Sequence, residues 1–167
     1  GTDADRLPEE KKRGMTLDLG FAYTNLDNGV RLGFIDVPGH ERLVHNMLAG
    51  VTGIDCALLV VAADDGPMPQ TREHLAILDL LGVSQGLVAL TKIDRVSEER
   101  VHEVHAEIEL MLADSTLSGV PIFPVSGVTN TGIEELTNQI CTLSQKVDAK
   151  AANGNFRLGI DRVFTVA

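Results

Sequence analysis

Residues 57–63 read Ala-Leu-Leu-Val-Val-Ala-Ala, seven apolar positions without a break, and this run limits the fold more than any other stretch of the chain. A strand with one wet face alternates apolar and polar residues. A short uninterrupted run is what a parallel strand covered on both faces looks like. Two more apolar runs follow, at 86–90 and 120–125, and helical spacing separates them. Leu75, Leu78 and Leu81 predict a helix over 70–81 that stops at Gly82. Ser97, with Glu99 and Arg100 behind it, opens a second helix to about Leu112, and Thr131 starts a third to about Ser144. Upstream the rhythm has period two. Leu17, Leu19, Phe21 and Tyr23 form an expected buried face, with Asp18, Gly20, Ala22 and Thr24 opposite. Asp27-Asn28-Gly29 then supplies residues that accept positive φ, so a strand over 31–37 is expected to return antiparallel. The sum is an α/β fold, a mostly parallel sheet with helices on both faces and one antiparallel hairpin. Ligands in such sheets sit at the carboxyl ends of the strands.

Composition excludes some functions. No apolar run approaches the eighteen or so residues of a membrane span, so no membrane partner is expected. The formal net charge of −10 repels nucleic acid in bulk and restricts RNA contact to local patches; Lys11-Lys12-Arg13 is the densest basic cluster, and a solvated charged loop accounts for it equally well. Cys56 and Cys141 lie far apart without a Cys-x-x-Cys pair, as in a cytoplasmic protein with reduced thiols. His102 and His105 are one helical turn apart with no third ligand near, which reads as a solvated helix face.

Polar motifs fall where the strands end. Asp36-Val37-Pro38-Gly39-His40 closes the second hairpin strand. A carboxylate there can hold Mg²⁺ through a water. A glycine there lets its N–H approach a terminal phosphate oxygen, and a histidine just beyond can position a hydrolytic water. A strand-end turn with a satisfied histidine has the same sequence. Thr91-Lys92-Ile93-Asp94 closes the 86–90 strand. A buried carboxylate can accept from guanine N1–H and from the exocyclic amine, a donor pattern adenine lacks, while the lysine stem lies over the base. An ordinary strand-to-helix loop with Asp94 near a helix start is the alternative. Ser126-Gly127 follows the last strand, and its N–H groups can meet guanine O6; alone it is no better than a turn. Thr16, before the first strand, has a hydroxyl suited to Mg²⁺ and an amide suited to a γ-phosphate. The joint order of the four motifs carries the reading.

That set resembles the translational GTPases, the class of elongation factor Tu. Residues 5–21, Asp-Arg-Leu-Pro-Glu-Glu-Lys-Lys-Arg-Gly-Met-Thr-Leu-Asp-Leu-Gly-Phe, are closer to the selenocysteine-specific elongation factors (SelB), as are 34–41 and 156–166. The resemblance covers essentially the whole chain. It implies that Thr16 ligates Mg²⁺ and senses the γ-phosphate, and that Asp36 binds Mg²⁺ through water. Gly39 would contact the γ-phosphate and His40 would orient the attacking water. Thr91, Lys92 and Asp94 would recognise guanine, with Ser126 and Gly127 beneath the base. GTP and Mg²⁺ are the implied ligands. Selenocysteyl-tRNA, the ribosome and, through other domains, an mRNA hairpin (SECIS) at a recoded UGA codon are the implied partners of a cytoplasmic monomer. Another tRNA-carrying translational GTPase of the elongation factor Tu kind, or a non-catalytic module that kept the fold, are the alternatives.

Two departures stand out. Thr91 occupies a position where the wider superfamily usually has Asn; this resembles the usage of the selenocysteine-specific factors, but it could loosen the loop that Asn ties down. No G-x-x-x-x-G-K-[ST] phosphate loop occurs in the 167 residues; in the family it precedes the point where this chain begins, so the chain is expected to start in mid-protein and to lack the first strand and helix. The expected domains are a GTP-binding domain over 1–150, a linker over 151–155, and over 156–167 the first strand of a β-barrel domain.

Overall fold

A computed structural model describes residues 19–26, 29–37 and 54–146. Thr16, Gly39, His40, the linker at 151–155 and the strand expected at 156–167 lie outside the described residues. The chain divides into two compact units, one of them Ile54–Lys146, with the hairpin in the other.

In the hairpin, β1 (Gly20–Asn25) pairs antiparallel with β2 (Arg31–Asp36), in a register that sets Tyr23 opposite Gly33 and Gly20 opposite Asp36. The connection closes through Leu26 N–H on the Val30 carbonyl at 2.8 Å and Gly29 N–H on the Leu26 carbonyl at 2.9 Å. Tyr23, expected on the buried face, is 53% exposed. Its ring packs within its own hairpin. A side chain at Gly33 would stand 3.1 Å from the ring, and the Arg31 guanidinium sits 4.8 Å from the ring centroid. That cation–π contact takes the place of a core for this ring.

The second unit holds three parallel strands in the order β3 (Ala57–Ala62), β4 (Gly86–Thr91), β5 (Ile122–Pro124). Crossovers run through α1 (Pro69–Leu80) and α2 (Glu98–Leu112), and α3 (Ile133–Lys146) follows β5. Paired residues of parallel neighbours share a face. On one face Leu87 and Ala89 form a cluster with Val125 and Leu136, packed by Ile133, Ile140 and Leu143 of α3. On the other, Val88 and Leu90 have no exposure at all, so β4 is closed on both sides. α1 packs against β3, and α2 turns a fully buried stripe inward: Val104, Ile108 and Leu112, spaced four apart. Gly86 is required where it stands, since a Cβ would lie 2.9 Å from the Ala57 carbonyl oxygen and 3.0 Å from Leu117.

The run at 57–63 corrects the expectation of burial on both faces. Ala57, Leu59 and Val61 are buried, whereas Leu58 is 39% and Val60 58% exposed. Leu58 and Val60 pair with Leu87 and Ala89, on the face that α3 covers. The α3 cluster includes residues of β4 and the β5 end but neither of these two.

Candidate functional site

β4 is the centre of the site because both its neighbours end beside it. The ladder between β3 and β4 extends past the strand ends through Ala63 N–H on the Thr91 carbonyl at 2.8 Å. The Thr91 hydroxyl donates to the Val61 carbonyl at 3.3 Å, a further tie between the β4 end and β3. The next residue, Lys92, turns the chain out of the sheet with φ 59° and ψ 30°. A side chain in that left-handed region costs about 1–3 kcal/mol and persists only where its surroundings hold it. The 3₁₀ turn Ile93–Arg95 follows, closed by Arg95 N–H on the Lys92 carbonyl at 3.0 Å. Ser97 then caps α2, its hydroxyl accepting from Arg100 N–H.

The turn presents Asp94 to the β5 loop. Ser126, wholly buried, donates its hydroxyl hydrogen to Asp94 Oδ1 at 2.5 Å. The same hydroxyl oxygen accepts from Val128 N–H at 3.2 Å and Thr129 N–H at 3.1 Å, while Ser126 N–H donates to the Thr131 carbonyl. One side chain thus joins the loop after β4 to the loop after β5. Val128 and Thr129 N–H are engaged inside the loop, and a Cβ at Gly127 would meet nothing within 4 Å. Asp94 itself is exposed, not buried as expected. Asn130 and Gly132 then take left-handed conformations, φ 60° and 71°, that swing the chain into α3.

Lys92 holds a further partner that sequence reasoning missed. Its ammonium donates to both oxygens of Asp64, at 3.0 and 3.1 Å, with Asp65 at 3.6 Å, and Arg95 approaches Asp64 at 3.7 Å. The Lys92 hydrogen bond is the main cause that holds the Asp64 carboxyl below its ordinary pKa. The signal was there to use: Asp64-Asp65-Gly66 follows the β3 run at a strand's carboxyl end, like the other motifs.

Thr91, Lys92, Asp94, Ser126 and Gly127 therefore come together. Asp36 stands at the carboxyl end of β2, in the other unit. A cavity of about 360 Å³ lined by Ile93, Val96, His102, Thr129 and Thr131 shares only Asp94 with this set, so it flanks the constellation and does not contain it. His105 pairs with Glu109 at 3.8 Å on the exposed side of α2. Replacing Ser126 with Ala removes the bridge and leaves the backbone bond to Thr131. We expect a loss of about 1–3 kcal/mol in thermal unfolding, and an unchanged transition would show that the bridge does not join the loops.

Parallel strands whose carboxyl ends gather a threonine, a braced lysine and an aspartate tied to a serine are the arrangement expected of a nucleotide-binding domain of the GTPase class. The chain belongs to the elongation factor Tu GTP binding domain family, whose model matches residues 1–146. Within it, the chain is 56% identical over 166 residues to the selenocysteine-specific elongation factor of Desulfomicrobium baculatum, a match that covers 99% of this chain and 26% of that protein. A crystal structure of bacterial selenocysteine-specific elongation factor EF-Sec superposes with a TM-score of 0.82 at 43% identity, covering 88% of this chain and 25% of that one. Translation elongation factor SelB from Methanococcus maripaludis, in complex with the GTP analogue GPPNHP, gives 0.75 at 32% identity over 80% of this chain and 29% of its own. The chain spans about a quarter of the length of the curated relatives it matches.

Proposed function

We propose that these residues form the GTP-binding domain of a translation factor that carries selenocysteyl-tRNA to the ribosome at recoded UGA codons and hydrolyses GTP there. The observation that carries the reading is the Asp94–Ser126 bridge beside the braced Lys92, on a chain 56% identical throughout to a selenocysteine-specific factor. Asp94 accepts from guanine N1–H and the exocyclic amine, the Lys92 stem lies over the base, and Ser126 and Gly127 lie beneath it. Thr91 holds the lysine's loop to β3. Gly39 meets the γ-phosphate, and His40 orients the attacking water.

Asp36 and Thr16 supply hard oxygen donors, the chemistry Mg²⁺ requires, and Asp36 stands at a strand's carboxyl end as such a ligand must. Bound there, the ion would offset phosphate charge. Residues 1–150 constitute the nucleotide domain, 151–155 a linker and 156–167 the opening strand of a barrel. The protein works in the cytoplasm as a monomer, as a carrier of tRNA to the ribosome would. No helix among the described residues is long and apolar enough to cross a membrane. The mRNA hairpin is bound through other domains.

The intact protein is expected to retain selenocysteyl-tRNA over other aminoacyl-tRNAs in a filter-binding assay with GTP. Equal retention of all aminoacyl-tRNAs would favour a general tRNA carrier. The 167 residues taken alone should bind GTP weakly and hydrolyse it negligibly, because they carry no phosphate loop to cradle the α- and β-phosphates. Tight binding by that segment would contradict this.

A further inference from the structure

We infer that Asp64 is a positioning residue for Lys92, setting guanine-nucleotide affinity without touching the nucleotide. The inference rests on the guanine reading of Lys92 and Asp94 given above.

Lysine is a poor platform unless it is held. Its four-carbon stem turns freely, and a base that must immobilise it on arrival loses binding free energy to that ordering. Here the ammonium already reaches both oxygens of one carboxylate, at 3.0 and 3.1 Å, with a second carboxylate 3.6 Å away. The backbone at Lys92 is in the left-handed region, which aims the stem away from the usual strand direction. Asp64 is itself delivered by a fixed loop. Ala63, with no exposure, donates its N–H to the Thr91 carbonyl, one residue before Lys92. Gly66 N–H closes the turn onto the Ala62 carbonyl at 2.8 Å, and at Gly66 a Cβ would stand 3.2 Å from Glu107 and 3.4 Å from Arg100 of α2. The carboxylate and the lysine are thus 28 residues apart in sequence but separated by one pair of hydrogen-bonded strands.

Charge supports the same role. Asp64 and Asp65 face Lys92 and Arg95, two negative groups against two positive ones. With its ammonium engaged there, Lys92 presents mainly its apolar stem, which suits an uncharged ring. The pair is solvent-exposed, so it adds little to global stability; its effect lies in what the stem is ready to do.

The test uses the intact protein and the equilibrium binding of a fluorescent GDP and of GTP to four forms: wild type, Asp64→Asn, Lys92→Met and the double variant. Asp64→Asn is expected to raise Kd for GDP and GTP alike, by about three- to tenfold. The nucleotide-free melting temperature should stay put, and so should the preference for GTP over XTP, which belongs to Asp94. On the Lys92→Met background Asp64→Asn should have no further effect, and Asp64→Glu should recover part of the affinity. An equal loss on both backgrounds, or wild-type affinity in Asp64→Asn, would overturn the positioning role. If instead Lys92→Met and Asp94→Asn both leave nucleotide affinity unchanged, the guanine reading itself fails, and the inference falls with it.

Discussion

Asp94→Asn in the intact protein should lose GTP and gain XTP, with the ratio of affinities moving by about 10⁴ or more. On the proposed reading the carboxylate accepts two hydrogens from the guanine edge. An amide at the same place accepts one and donates one, and xanthine carries a carbonyl where guanine carries its exocyclic amine. The large factor comes from unpaired polar groups: GTP on the variant sets donor against donor, away from water. Asn is the informative replacement because Ser126 donates to Asp94 Oδ1. An amide carbonyl still accepts that hydrogen, so the bridge between the loops survives and only the reading of the base changes. Titration with GTP, XTP and ATP measures it. Undiminished preference for GTP would place guanine recognition elsewhere.

Gly132→Ala should be the most damaging single methyl in the second unit. A Cβ there would lie 2.1 Å from the Pro124 carbonyl oxygen and 3.2 Å from Val125 Cγ1, at φ +71°. The obstacle is backbone at the end of β5, which does not swing aside as a long side chain would. Relief requires the β5 end and the start of α3 to part, and α3 supplies Leu136 to the core. Left-handed strain and lost packing together make about 3–5 kcal/mol, or a fall of roughly 6–20 °C in melting temperature. The Ser126 loop lies between the parts that would separate, so nucleotide affinity should fall as well. Gly127→Ala is the control, since its Cβ would meet nothing. Equal melting temperatures for the two variants would show that the approach of Gly132 to Pro124 does not matter.

How much was legible depended on how local each cause was. The second helix was fixed by its cap, and Ser97 stands there with Glu98–Leu112 behind it. The first begins one residue earlier than its spacing suggested, because Pro69 needs no N–H partner in a first turn. The third begins at Ile133 instead of Thr131: Asn130 and Gly132 are left-handed, and the Thr131 carbonyl is taken by Ser126 N–H. The apolar run at 120–125 yields a strand of only three residues. Val120 N–H closes a turn onto Leu117, and Pro121 and Pro124 have no hydrogen to offer a ladder. Thr91, Lys92, Asp94, Ser126 and Gly127 were singled out by motif order, and the structure gathers them at the ends of β4 and β5. Asp64 was not, since its meaning arises from the pairing of β3 with β4 and from nothing in its immediate neighbours. Tyr23 misled because burial in β1 falls off along the strand, from buried Gly20 to exposed Tyr23, Thr24 and Asn25 near the turn, and does not follow its faces.

The single hydrogen of the Ser126 hydroxyl gives the site a built-in gauge. It spans adjacent strands, and adjacent strands sit about 4.8 Å apart. The jaw that carries Asp94 follows β4, and the jaw that carries Gly127 follows β5. The ladder brings the two loops to neighbouring strand ends, and the hydroxyl then fixes how far apart they stand. A guanine ring bound as proposed would meet an opening already fixed by one hydrogen bond.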